Sequence, residues 1–381
     1  MISSRAEPAE PESAAGGPIR VLVVDDSAVI RGLITRLLEA DAGIAVVGSV
    51  ANGQMAVATL KRTAVDVVVL DIEMPVMDGL TALPLILKEA PDAKVIMAST
   101  LTKRNAQISL KALSAGASDY VAKPTSTGEI KGGDEFRREL VEKVKALGAA
   151  SRRARVQKGI AADEELPFRP RPERAEPPRA IKLRPAGQRA PEVIAVGSST
   201  GGPQALMKAL ASLPRTMRMP VLVTQHMPAT FTSILAEHLA RASGLHAAEA
   251  VDGEGIRPAR IYVAPGDFHM TAVVEDGQRV IRLTKEPPEN YCRPSVDPMF
   301  RSLAQAYGAG VLGLILTGMG SDGVKGARSV VDAGGTVIAQ DEATSVVWGM
   351  PGAAAAAGVC SAVLPITDIA LYLRRLAGAS S

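Results

Sequence analysis

Two serines lie between a strand-like run and a helix-like run in VIAVGSSTGGPQAL, residues 193–206. The segment GSSTG fits the pattern G-x-S-x-G, in which flanking glycines permit a sharp turn that exposes the central hydroxyl, here Ser199. The backbone N–H groups that follow such a turn can bind an oxyanion or a phosphate. Taken alone, the motif predicts either a nucleophilic serine or a glycine-rich phosphate-binding or capping loop.

A nucleophilic serine needs a base and a group that orients the base, and two later segments supply candidates. His226 follows the apolar run PVLVTQ, and Asp322 lies in the glycine-rich turn after VLGLIL. Singly, His226 could be a structural hydrogen-bonding residue and Asp322 a helix N-cap. Together with Ser199 they favour a catalytic triad. Their chain order differs from the Ser, Asp, His order of α/β-hydrolase lipases, which disfavours the ordinary esterase fold.

A second group of residues whose side chains could carry out chemistry lies in the first third of the chain. Asp25, Asp26 and Asp71 end apolar strand-like runs, and Ser99 and Lys123 end two more. Clustered carboxylates repel one another unless a cation lies among them, and hard oxygen ligands suit Mg²⁺. The cation would let a phosphoryl group approach Asp71, whose carboxylate can form an aspartyl phosphate. Each aspartate alone could instead be a helix N-cap or a solvated turn residue.

The residues of each group can act together only if the ends of several strands meet, and the hydrophobic pattern predicts strands and helices that would bring them together. Strand-like runs alternate with helix-like stretches, such as the amphipathic residues 28–39, and the alternation restarts after residue 190. This pattern predicts two α/β domains with parallel sheets, and a hairpin that turns at Asp276-Gly277. Ligand sites of such sheets lie beyond the carboxyl ends of the strands, where both groups of residues are found.

Composition limits the class of protein. Of the 381 residues, 47% are hydrophobic and only 3% aromatic, so aliphatic side chains must fill more than one core. No run approaches the roughly 18 apolar residues of a membrane helix, and the polar start of the chain is unlike a signal peptide. We expect a soluble, cytoplasmic protein without membrane insertion. The two cysteines and four histidines form no metal-ligand pattern.

Positive charge is concentrated in residues 151–190, which hold 11 Lys and Arg against five Asp and Glu. The segment also contains six prolines and one aromatic residue, so we expect an extended linker and no nucleic-acid binding. We therefore expect a disordered extension (1–17), a first domain (18–140), a linker (141–190) and a second domain (191–381).

The motifs VLVVDDSAVIR, LDIEMPVMDG and GASDYVAKP resemble the signatures of response-regulator receiver domains. The resemblance implies a flavodoxin-like fold, Asp71 as the phosphoacceptor, and Asp25 and Asp26 as Mg²⁺ ligands together with Asp71. It also implies that Lys123 binds a phosphoryl oxygen. Ser99, beside Thr100, is the implied switch hydroxyl and Tyr120 its coupled aromatic residue.

Six further motifs resemble the catalytic domain of chemotaxis protein-glutamate methylesterases, in that family's order: GSSTGGP, TQHMP, APGDFHM, RPSVDPMF, LTGMGSDG and IAQDEATSVVWGMP. A receiver domain, a Pro/Arg-rich linker and this domain form the family's architecture. The resemblance implies a Rossmann-like domain with Ser199 as nucleophile, His226 as general base and Asp322 as the group that orients the imidazole. It also implies an oxyanion hole of backbone N–H groups around Thr200 and Met319, and no cofactor for the esterase.

The resemblance implies a phosphorylation-activated hydrolase that removes methyl esters from glutamates of methyl-accepting chemoreceptors. Deamidation of receptor glutamines would use the same acyl intermediate, and a chemotaxis histidine kinase would be the phosphodonor. Two alternatives stay open: an adaptor that binds a partner without turnover, and a small-molecule serine esterase under receiver control. A DNA-binding output domain is disfavoured, because no helix-turn-helix unit follows the linker.

Other residues are weaker candidates. His269, Arg293 and Asp297 either line a substrate groove or serve packing and capping, and Ser198 is expected to support the turn before the nucleophile. Cys292 is expected to be a partly buried thiol with no histidine nearby.

Overall fold

The computed structural model describes residues 17–100, 102–123, 134–157, 181–211 and 213–378. These residues form two α/β domains, each built on a parallel sheet, which confirms the predicted fold class. The predicted N-terminal extension, apart from Gly17, and residues 158–180 of the predicted linker lie outside the described residues.

Five strands form the sheet of the first domain: β1 (Ile19–Val24), β2 (Ile44–Val50), β3 (Val67–Asp71), β4 (Lys94–Ser99) and β5 (Asp119–Ala122). They lie in the order β2-β1-β3-β4-β5, and every neighbouring pair is parallel. The central strand β3 is buried along its whole length, as expected of an aliphatic run covered on both faces. The order reverses between β1 and β3, which is where sheets of this kind bind ligands.

The helices of the first domain are α1 (Ala28–Glu39), α2 (Gly53–Leu60), α3 (Gly79–Glu89), α4 (Lys103–Ser114) and α5 (Asp134–Gln157). Helix α1 occupies the amphipathic stretch predicted for residues 28–39. Helix α5 extends into the range predicted as linker, because Leu140, Val144 and Leu147 are fully buried in the core of the first domain. The first domain therefore continues beyond residue 140, and a linker can begin only after this helix.

Seven strands form the sheet of the second domain, and two more form a hairpin: β6 (Val193–Ser198), β7 (Val221–Gln225), β8 (His246–Glu249), β9 (Arg260–Val263), β10 (His269–Glu275), β11 (Gln278–Thr284), β12 (Val311–Ile315), β13 (Thr336–Gln340) and β14 (Ala362–Leu364). The sheet order is β14-β13-β12-β6-β7-β9-β8, with parallel pairs throughout. The edge strands β8 and β14 were not predicted, because they are short and only partly buried.

The hairpin of β10 and β11 confirms the predicted turn at Asp276-Gly277, whose residues have φ values of 49° and 76°. The helices of the second domain are α6 (Gly202–Ala209), α7 (Ala229–Ser243), α8 (Val296–Tyr307), α9 (Val324–Asp332), α10 (Met350–Ala356) and α11 (Ile366–Gly378).

The two domains pack directly against each other. Helix α4 of the first domain contacts α6 and α7 of the second, and one cluster of buried apolar side chains continues from domain to domain. Among the described residues, no helix is both long enough and apolar enough to cross a membrane.

Candidate active site

Ser199 follows the last residue of β6 and begins the turn into α6, as the sequence pattern predicts. The turn is completed by Gly201, whose φ of 76° favours glycine. Gly318, after β12, lies against the turn, since a Cβ there would be 2.8 Å from Ser199 Cβ. Only glycine permits this approach, which places the following residue, Met319, beside the serine.

The topology of the second sheet brings the predicted triad residues to one edge. Strand β6 lies between β12 and β7, so the strand order reverses at this point. Ser199 follows β6, His226 follows β7 directly, and Asp322 lies in the loop after β12. Residues that are up to 123 positions apart in the chain therefore meet at the carboxyl ends of three neighbouring strands.

His226 and Asp322 are hydrogen-bonded, with 2.7 Å between Nε2 and Oδ2. Besides the ring, the Asp322 carboxylate accepts from three backbone N–H groups and two side chains: Val296 N, Asp297 N, Gly323 N, Ser295 Oγ and Asn290 Nδ2. Burial acts to raise the pKa of Asp322, but the bonds from His226, Val296 and Ser295 outweigh it and hold the pKa at about 2. Asp322 is thus a fixed, ionised carboxylate.

The second ring nitrogen of His226 faces a cysteine, which corrects the expectation for Cys292. Nδ1 lies 3.4 Å from Cys292 Sγ. No hydrogen bond among the described residues joins His226 to Ser199 Oγ. Burial opposes the charged ring, but the hydrogen bond to Asp322 and the contact with Cys292 outweigh it and raise the pKa of His226 to about 10. These contacts favour the protonated ring in this arrangement, and the ring must lose its proton before it can act as a base.

The turn at Ser199 is supported from β7. Ser198 Oγ donates to Gln225 Oε1 over 2.7 Å, and Gln225 Nε2 donates to Ser199 O over 2.9 Å. Ser198 thus takes the supporting place that was expected. Gln225 was not singled out from the sequence, although its polar side chain at the end of a buried strand, directly before His226, was an available signal.

Within the described parts of the chain, the predicted oxyanion-hole donors have no protein acceptor. Among the hydrogen bonds of the described residues, none uses the backbone N–H of Thr200 or of Met319. Backbone N–H groups near a nucleophilic serine that have no protein acceptor can bind an oxygen that becomes negatively charged.

Three weaker candidates lie near this edge. His269 is buried, with Nδ1 accepting from Ser295 N and Nε2 close to Pro287 O. Asp297 is buried as well, and it accepts from Gly326 N. Both therefore serve packing and hydrogen bonding instead of lining an open groove. Arg293 is partly exposed and donates to the backbone oxygens of residues 285 and 286.

The first domain brings its predicted acidic residues together. The carboxylates of Asp25, Asp26 and Asp71 offer oxygens that lie within 4.8 Å of one another. Lys123 Nζ lies 2.6 Å from both Asp25 Oδ2 and Asp71 Oδ1. Burial raises the pKa of Asp71, against the lowering effect of Lys123. Clustered carboxylate oxygens at a partly open edge fit the ligand preference of Mg²⁺.

The predicted switch residues lie between this pocket and the second domain. Ser99 is buried, and its Oγ lies 3.1 Å from Ser109 Oγ on α4. Tyr120 is buried too, and its ring stacks on Phe231 of α7 with 4.3 Å between the centroids. A movement of the Tyr120 ring would therefore disturb the contact between the domains.

A buried hydrogen bond joins the first domain to the residue next to Ser199. Thr200 Oγ1 donates to Asp119 Oδ2 over 2.7 Å, and Lys143 Nζ lies 3.3 Å from the same oxygen. Neither Asp119 nor Lys143 was predicted from the sequence, because no local pattern reveals a contact between domains. The first domain thus lies over one side of the nucleophile turn.

The fold and the two sites together define a class of protein: a phosphoacceptor α/β domain packed on a second α/β domain that has the side chains of a serine hydrolase. Two family models match the chain. The response regulator receiver domain matches residues 21–132, and the CheB methylesterase matches residues 194–373.

Full-length relatives agree with both matches. A protein-glutamate methylesterase/protein-glutamine glutaminase of Azospirillum brasilense is 62% identical, covering 96% of this chain and 95% of the relative. A similarly named protein of Paramagnetospirillum magneticum is 58% identical over 96% of this chain and 98% of its own. The chain belongs to the family of receiver-linked protein-glutamate methylesterases.

Solved structures cover the two domains separately. The CheB methylesterase catalytic domain of Thermotoga maritima is 41% identical and covers 49% of this chain and 100% of its own, with a TM-score of 0.48. The response regulator domain of the Thermotoga maritima CheB is 38% identical and covers 35% of this chain and 97% of its own, with a TM-score of 0.32.

Proposed function

We propose that this chain hydrolyses the methyl esters of glutamate residues on cytoplasmic parts of methyl-accepting chemoreceptors, and that Ser199 is the nucleophile. The observation that carries the proposal is the bond between His226 Nε2 and Asp322, beside a serine turn with two unused N–H groups. This bond leaves Nδ1 as the nitrogen that can take the serine proton. The names of the full-length relatives support the glutamate ester as substrate.

The first half of the reaction forms an acyl-enzyme. Ser199 Oγ attacks the ester carbonyl carbon while His226 Nδ1 takes the hydroxyl proton, which requires the ring to be neutral and turned from Cys292 towards Ser199. The N–H groups of Thr200 and Met319 stabilise the oxyanion, and one such donor is typically worth about 3 kcal/mol. The bond from carbon to the methoxy oxygen then breaks, and His226 returns the proton so that methanol leaves.

The second half regenerates the serine. Water attacks the acyl carbon, gives a proton to His226, and the bond to Ser199 Oγ breaks as the oxygen regains that proton. The product is the free glutamate side chain. A receptor glutamine would form the same acyl-enzyme with ammonia as the leaving group.

The first domain is proposed to control this site through phosphorylation of Asp71 by a chemotaxis histidine kinase. Asp25, Asp26 and Asp71 would hold Mg²⁺, which when bound offsets the negative charge of the incoming phosphoryl group. Lys123 would exchange its contacts with Asp25 and Asp71 for a phosphoryl oxygen. Ser99 would then leave Ser109 and allow the ring of Tyr120 to move, weakening the stack on Phe231.

Covalent labelling tests the serine assignment. A small sulfonyl fluoride should add to Ser199 in the phosphodonor-activated protein, and peptide mass spectrometry should locate the adduct. Ser199→Ala should show no adduct, and Ser198→Ala should still be labelled at Ser199. An adduct that persists on another residue in Ser199→Ala, with full esterase activity, would refute the assignment.

The choice of substrate separates the proposal from its alternative. Methylated receptor membranes and short methyl esters should be compared at equal ester concentration. A protein-glutamate methylesterase should release methanol much faster from the receptors, whereas a small-molecule esterase would prefer the short esters.

A further inference from the structure

Asn290 lies between two buried carboxylates of the active-site edge. Its Nδ2 donates to Asp322 Oδ1 over 2.7 Å and to Asp297 Oδ2 over 2.9 Å. The two aspartates are only 2% and 1% exposed. One amide nitrogen carries two hydrogens, so each carboxylate can receive one of them.

The two aspartates need such a shared donor because their charges oppose each other. Burial raises the pKa of Asp297, and the charge of Asp322 acts in the same direction against the bonds from Gly326 and Asn290. Asp322, in contrast, is held ionised by its own donors. Without the amide, the two carboxylates would face each other with less compensation, and the pair would bind a proton more readily.

The backbone at Asn290 is shaped to aim this amide inward. Asn290 has a φ of 54° and the next residue, Tyr291, a φ of 62°. Two successive left-handed non-glycine residues are strained, and asparagine tolerates this conformation better than most residues. The same short segment places Cys292 against His226 Nδ1. The two groups that contact the imidazole are Asp322, which Asn290 contacts, and Cys292, so one loop touches one of them and supplies the other.

We propose that Asn290 is a positioning residue for the esterase reaction, whose amide keeps the Asp322 carboxylate aligned with His226 Nε2 and separates it from Asp297. The inference rests on the proposed triad. Asn290 acts through Asp322, so it affects turnover and not substrate binding.

Two substitutions at one position separate this role from loop structure. Asn290→Gly keeps the backbone free to adopt a positive φ but removes the amide, and Asn290→Asp keeps the side-chain size but adds a third carboxylate. With methylated receptors and phosphodonor-activated full-length protein, kcat should fall about 10- to 100-fold in Asn290→Gly with KM unchanged. The acidic limb of the kcat profile should move to higher pH, and further in Asn290→Asp.

A second-site variant provides the rescue test. Asp297→Asn removes the competing charge and keeps an oxygen for Gly326 N–H, so Asn290→Gly/Asp297→Asn should regain part of kcat and shift the acidic limb back. Thermal melts of each variant check folding. A wild-type kcat and pH profile in Asn290→Gly would overturn the inference, and so would a loss of kcat with an unmoved pH profile and no rescue.

The role of Asn290 and the proposed triad can fail separately, and two variants distinguish these outcomes. If Ser199→Ala is inactive and Asn290→Gly behaves as wild type, only the role of Asn290 is wrong. If Ser199→Ala keeps full activity, the triad itself is wrong, and the inference about Asn290 falls with it.

Discussion

Removing one side chain between the domains should activate the esterase without phosphorylation. Gln204, on α6, lies five positions after the nucleophile and outside the triad. Its Nε2 donates to Leu113 O over 2.5 Å and to Ala117 O over 2.6 Å, both in the first domain. Gln204→Ala removes both bonds and keeps a good helix former in α6.

The expected magnitude follows from these two bonds. A hydrogen bond between neutral groups contributes about 0.5–1.5 kcal/mol net, so the closed arrangement should lose about 1–3 kcal/mol. That is roughly a 5- to 150-fold shift of the equilibrium towards separated domains. The esterase activity of the unphosphorylated Gln204→Ala protein should therefore be closer to that of the phosphorylated protein.

The assay is methanol release from methylated receptor membranes, with and without a small phosphodonor. Gln204→Ala should raise the rate without phosphodonor at least about fivefold and leave the rate with phosphodonor unchanged. Lys208→Ala is the matched control, because Lys208 is an exposed residue of the same helix. An unchanged basal rate in a folded Gln204→Ala protein would refute the view that this interface restrains the esterase.

Three further predictions concern single groups. Asp71→Asn should abolish phosphodonor-dependent activation and leave the basal rate unchanged; activation that persists would contradict Asp71 as the phosphoacceptor. Because the fold raises the pKa of His226 to about 10, its protonated ring stabilises the fold. This contribution is complete below pH 6.5 and is lost as the pH rises towards 10. Asp322→Asn should therefore lower the pKa of His226 in an NMR titration, and an unmoved titration would contradict the coupling. Iodoacetamide should alkylate Cys292, which is partly exposed, before Cys360, whose burial raises its pKa to about 12; equal rates by mass spectrometry would contradict this difference in setting.

Much of this architecture could be predicted from the sequence, because parallel strands give long aliphatic runs and the reactive residues follow directly after them. Ser199, His226 and Asp71 each stand at such a boundary. Asn290 could not be found in this way, since its loop belongs to no periodic element and its role depends on two aspartates brought together by the fold.

The contact between domains was also beyond local patterns. Asp119 begins a strand and Phe231 lies inside a helix, so the surrounding sequence explains each residue as part of its own domain and does not indicate the contact between the domains. Helix α5 shows the same limit, because its burial against the first sheet depends on tertiary packing that charge and composition do not reveal.

The central claim is that Ser199 hydrolyses receptor methyl esters under the control of Asp71. The most direct measurement is methanol release from methylated chemoreceptor membranes by wild type and Ser199→Ala, with and without a small phosphodonor and Mg²⁺. Release by the wild type should rise with phosphodonor and should be absent in Ser199→Ala under both conditions. No release from the phosphorylated wild type, or equal release by Ser199→Ala, would contradict the account.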